Sequence, residues 1–219
     1  MGFFDLFRSK DKGQAEMVGR AWAEILIKNE TTRNGSLNEA QVRIKAFNTL
    51  SPISQRIIAL ELFYLKIVSI DYALYNTLGN TLERKKIMDA IRMYILHNLT
   101  TINSIVDIKY FDCDSVNLLK TLKNDGLLST KNTLEQICFT DELSSRMSEY
   151  GQSIASVSTF EAICMSLGKQ FIKSINVKSK CSGYSINDSF QKDIAMLGVA
   201  NYLSIGEWIT KSLDDVDII

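Results

Sequence analysis

The sequence predicts an all-α fold, a single-domain irregular bundle of about seven helices around a central apolar helix at residues 52–78. Three observations predict it. The 219 residues include one proline, Pro52, and 11 glycines, whereas an all-β domain needs many Gly and Pro turns. Apolar residues recur at helical spacing along most of the chain. A helix-start pattern, [N/S]-T-[L/F]-E, occurs at Asn80–Glu83, Asn132–Glu135 and Ser158–Glu161. It offers an N-cap acceptor and a glutamate that reaches back to a free backbone N–H. Independent selection for capped starts explains its recurrence better than an ancient one-helix repeat. A hydrophobic fraction of 46% with 23% charged residues excludes wholesale disorder.

Taken in order, residues 1–13 form an amphipathic segment and charged linker. Residues 14–213 form the helical domain, and residues 214–219 an acidic and then apolar tail. The first helix runs from Gln14 to Glu30, with Val18, Ala21, Trp22 and Ile25 on one face. Asn34-Gly35 makes a turn. The next helix starts near Ser36, with Glu39 placed for a capping box, and buries Leu37, Ala40, Ile44 and Phe47.

Ser51 caps the central helix, and Pro52 takes its first position, where the missing N–H costs nothing. Gln55, Lys66 and Ser69 mark its polar face, while Glu61 and Asp71 fall on the apolar side. Gly79 ends this helix and Asn80 caps the next, which reaches Asn98. Further helices are expected within 104–124, over 133–150 and 159–178, and from Asn187 to Leu213.

Charge and composition narrow the function. Lys+Arg and Asp+Glu both number 25, which argues against a dedicated nucleic-acid binder, since phosphate neutralisation supplies most of such a protein's affinity. Cys113, Cys138, Cys164 and Cys181 include no C-x-x-C pair and read as buried free thiols in a reducing compartment. His97 is the only histidine, so zinc and di-iron sites built on several histidines are not expected. No cofactor or metal is expected. Walker-A and G-x-G-x-x-G motifs do not occur. No signal peptide is visible, and the most apolar stretch, Ile57–Leu78, carries Glu61, Lys66 and Asp71. It reads as a buried helix of a cytoplasmic protein rather than a membrane span.

Three groups of residues are candidate sites. Helices joined at Gly79 should run antiparallel, which brings Glu61 level with His97, and Tyr64 level with Tyr94. The four can form an acid/base pair in a tyrosine-lined pocket, or a buried pair that fixes helix packing. Arg84, Lys85 and Lys86 lie in a helix's first turn, where their charge adds to the dipole as an anion site or is simply solvated. Phe3, Phe4, Leu6 and Phe7, with Arg8 beside them, suit a membrane interface, a partner's groove, or folding back onto the body. Lys169, Lys173, Lys178 and Lys180 form a basic run near a helix C-terminus, which the dipole explains. Trp22 and Trp208 read as core residues.

The expected function is therefore non-catalytic. It is that of a cytoplasmic helical interaction or adaptor protein, binding a protein partner or, peripherally, a membrane surface. The alternative is a small-ligand binder or enzyme with its pocket at Glu61 and His97. Nucleic-acid binding through Arg84–Lys86 is the lesser alternative.

Overall fold

A helix that is apolar all round has no wet face and must be enclosed by its neighbours. The computed structural model is organised by that requirement. It describes residues 13–32, 35–107, 110–111, 117, 121, 131–155, 157–181 and 188–214. Among these, seven α-helices and no strand occur. They are α1 (Gln14–Glu30), α2 (Ser36–Arg43), α3 (Pro52–Leu78), α4 (Leu82–His97), α5 (Lys131–Ala155), α6 (Phe160–Cys181) and α7 (Asp188–Asp214).

The central element is α3. Every residue from Ile57 to Ile70 is buried, four turns without a solvent-facing side. α7 is its principal neighbour, α2 and α6 pack on it as well, and α1 is the main partner of α4. The α1–α4 approach depends on Gly19. A Cβ there would stand 2.4 Å from the Ile87 carbonyl oxygen and 2.8 Å from the Ala90 Cβ, so a side chain would force the two backbones apart. Trp22 is buried and its ring lies 6.0 Å from that of Trp208, tying α1 to α7.

Local signals fix most helix ends. The Ser51 hydroxyl accepts from the Ser54 N–H at 3.0 Å, and Pro52 begins α3. Gly79 takes φ 66°, the left-handed region that glycine enters freely, and its N–H donates to the Tyr75 carbonyl at 2.8 Å.

The recurring caps fall one residue later than the sequence suggests. Thr81, not Asn80, caps α4 by accepting from the Arg84 N–H at 3.3 Å. Thr159, not Ser158, caps α6 by accepting from the Ala162 N–H at 3.2 Å. The motif offers two adjacent acceptors, and the threonine is used at both. α5 begins at Lys131, which puts Asn132 inside it.

The capping box expected at Ser36 does not form either. Gly35 is the N-cap of α2, and Ser36 bonds instead to Glu30 through both its N–H and its hydroxyl, each at 2.7 Å. Glu39 turns to long-range partners: it accepts from Asn201 Nδ2 at 2.8 Å and lies 3.4 Å from Lys66 Nζ. The supposed polar face of α3 is therefore covered. Lys66 is buried, and donates to Glu30 and to the Ser36 hydroxyl at 3.0 Å each. α2 is also short, and Ile44 and Phe47 are buried beyond its end.

The helix expected within 104–124 lies largely outside the described residues. Leu99–Ile102 forms a 3-10 turn, and Ile105 and Val106 are buried without helical structure.

Candidate functional site

Burying a charge is costly unless a counter-charge and hydrogen bonds replace its water. Glu61, fully buried on α3, meets that condition through α5 and α6. Arg146 Nε on α5 lies 3.0 Å from both carboxylate oxygens of Glu61. Lys178 Nζ on α6 lies 2.9 Å from Glu61 Oε1 and also pairs with Glu142 of α5. Lys178 further sits 4.8 Å from the centre of the Tyr64 ring, a cation–π contact strengthened by the dry surroundings.

Two carboxylates and two cations thus cancel in the interior. Glu149, partly exposed, links the cluster to solvent by its contact with Arg146 Nη1 at 3.3 Å. Burial alone would raise the Glu61 carboxyl, but the Lys178 and Arg146 charges outweigh it and hold the group below the ordinary value. Tyr64 and Tyr150 are pushed well above the usual tyrosine range by burial and then by nearby carboxylates.

The structure does not bring Glu61 and His97 together. His97 is exposed, and its Nδ1–H donates to the Met93 carbonyl of its own helix at 2.6 Å. The hairpin geometry behind that expectation holds only near Gly79. There Asp71 receives both Arg84 Nε (2.9 Å) and Nη2 (2.8 Å), and the Arg84 guanidinium sits 5.2 Å from the Tyr75 ring centre. At the level of Glu61, α5 has become the neighbour of α3. The Phe139 ring lies 5.0 Å from Tyr64 and 6.2 Å from Phe63. Tyr64 and Tyr94 are separated likewise, the first in the core and the second on the α1 side of α4.

The supposed anion site is also dispersed. Arg84 is committed to Asp71, Lys86 lies 3.9 Å from Glu16 of α1, and Lys85 is exposed. Phe3, Phe4, Leu6, Phe7 and Arg8 lie outside the described residues.

Sequence reasoning missed Glu142, Arg146 and Lys178. The helix dipole explains Lys178 in the sequence, yet the side chain is fully buried. A signal was present. Arg146 follows Leu143 and precedes Tyr150 on the buried stripe of α5, and Lys178 continues the stripe of Phe171 and Ile175 on α6. A charge at a core position of an amphipathic helix calls for a buried partner.

Outside the core, two grooves flank α4. One, of about 630 Å³, runs between α1 and α4 and is lined by Glu16, Arg20, Lys86, Asp89, Tyr94 and His97, among others. The other, of about 430 Å³, lies between α4 and α5. Met93 lines both and is 54% exposed, a hydrophobic ridge between them. Among the described residues no three His, Cys, Asp or Glu side chains gather as a metal site, and no helix is long and apolar enough to cross a membrane.

Fold and site together define an all-α helical bundle with a neutral ionic core and surface grooves along one helix. Comparison with protein-family models, with curated proteins and with solved structures finds no match.

Proposed function

We propose that the protein is a non-catalytic binding module that recognises a protein partner along the groove between α1 and α4. One observation carries this: the deeply buried ionisable side chains around Glu61 are spent on one another, while the accessible mixture of chemistry lines α4. A catalytic acid or base needs a substrate within hydrogen-bond reach, and Glu61 is enclosed by Arg146, Lys178 and the surrounding core. The α1–α4 groove has the composition of a recognition surface. Acidic Glu16 and Asp89 alternate with basic Arg20 and Lys86, beside Tyr94 and Met93. Aromatic and Met side chains supply contact area, and rim charges steer encounter and orientation. The free thiols Cys138 and Cys164 suit a reducing, cytoplasmic setting.

A photo-crosslinking side chain at position 93 tests this in cells. It should capture a species of discrete mass, and Lys86→Glu combined with Arg20→Glu should abolish the capture. The same group at position 42 on α2, where Val42 is 77% exposed, should not capture it. Identical products from the two positions would reject the assignment.

A further inference from the structure

The second groove presents a different chemistry. Asp89, Arg92, Met93 and Leu96 of α4 face Phe139, Thr140, Leu143 and Ser144 of α5. Spacings of three and four residues put each set on one face of its helix. Cross-links between the helices bracket the groove. Gln136 Nε2 donates to the Leu96 carbonyl at 3.1 Å on one side, and Arg92 Nη2 donates to the Met147 thioether on the other. Phe139 and Leu143 are buried and provide an apolar floor. A volume of about 430 Å³ is within the range of small-molecule sites.

Arg92 is the anomaly. Its guanidinium carries five N–H donors, yet among the described residues a thioether, a weak acceptor, is its one hydrogen-bond partner. Among the described residues its buried Nε has no hydrogen-bond partner, and no carboxylate forms an ion pair with it. Every cation of the Glu61 cluster, by contrast, has an acid beside it. A half-buried guanidinium with no acid paired to it among the described residues, next to an apolar floor, is the complement of a molecule with an anionic head and a hydrocarbon body. Its planar fork matches a carboxylate in particular. Asp89, the groove's other charged residue, is exposed, so water screens it.

We propose that the α4–α5 groove binds a small amphiphilic carboxylate, its head on Arg92 and its hydrocarbon against Leu96, Phe139 and Leu143. This is a second site, on the other flank of α4 from the partner groove, with which it shares only Asp89 and Met93 at the ridge.

Displacement of anilinonaphthalene sulfonate fluorescence by decanoate and by decanol, on the full chain, tests it. Decanoate should displace the dye at a concentration at least tenfold lower than decanol. Arg92→Met, which keeps the side chain's apolar bulk, should weaken decanoate at least tenfold and leave decanol unchanged. Leu143→Asn should weaken both ligands, and Asp89→Asn should tighten decanoate two- to threefold. Circular dichroism melting identifies any variant that has lost its fold. Arg92→Lys, which keeps the charge, then serves in place of Arg92→Met and should retain part of the preference for decanoate. Equal potency of decanoate and decanol on the parent protein would overturn the proposal. So would decanoate affinity that survives Arg92→Met, or the absence of saturable displacement.

Discussion

Arg146 and Arg92 reach into the same region of the protein from neighbouring helices, and their surroundings are opposite. Arg146 lies against Glu61, with Lys178 and Glu142 completing a balanced buried set and partly exposed Glu149 at its edge. Arg92 has a sulfur atom and a groove. The difference separates two uses of a charge held against the core, one buried and one half-buried. Around Arg146 each ion is held by another ion of the same chain, which fixes how α3, α5 and α6 meet. Around Arg92 no balancing charge is paired among the described residues, which leaves the position suited to a charge from outside.

The largest effect is expected where the balance is broken. Glu61→Gln strands Arg146 and Lys178 beside a single remaining buried acid, and should cost about 3–5 kcal/mol in urea unfolding. Replacing Glu61, Glu142, Arg146 and Lys178 together by Leu, Leu, Met and Met should cost less than that single change, because no unpaired ion remains. A larger loss from the quadruple variant would show that the cluster is worth more than packing of equal volume.

Acid should act through the same group. The folded-state pKa of Glu61 is depressed, so the unfolded chain takes up a proton at higher pH than the folded protein does. The stability Glu61 contributes is present above the unfolded carboxyl's pKa and is lost as pH falls through the folded value. Unfolding midpoints followed from pH 6 to pH 3 should decline, and Glu61→Gln should decline less steeply from its lower starting point. The smallest effect is expected at Arg92. Arg92→Met should change stability by no more than about 0.5 kcal/mol, since the substitution breaks no ion pair. A loss as large as that of Glu61→Gln would erase the contrast between the two arginines.

Much of the fold is legible in the sequence because its signals are local. Pro52 behind Ser51 and glycine at 79 set both ends of α3, and the unbroken apolar run between them requires burial. Helical periodicity places α1 and α7 to within a residue or so. The shift of two caps from Asn80 and Ser158 to their threonine neighbours reflects two near-equal acceptors side by side.

The site was half legible. That Glu61 needs a partner follows from its place on an apolar face. Which partner it takes does not, because Arg146 and Lys178 lie far along the chain and reach it only after α5 and α6 have packed. The choice of His97 assumed that α3 and α4 stay together beyond Gly79, whereas Gly19 lets α1 hold α4 closely. Lys66 was misread for a related reason. A long side chain with a charged tip looks solvated until distant Glu30 and Glu39 enclose it.

The four dry turns of α3 also bear on how the molecule is made. Its principal neighbour, α7, follows it in the chain only after α4, α5 and α6, so a nascent chain that has emerged only as far as α4 carries a greasy rod without its main cover. Until α7 arrives, that rod is a target for chaperones and a seed for clumping. Shortening the chain from its C-terminal side should therefore leave a sticky, protease-sensitive product instead of a smaller working protein.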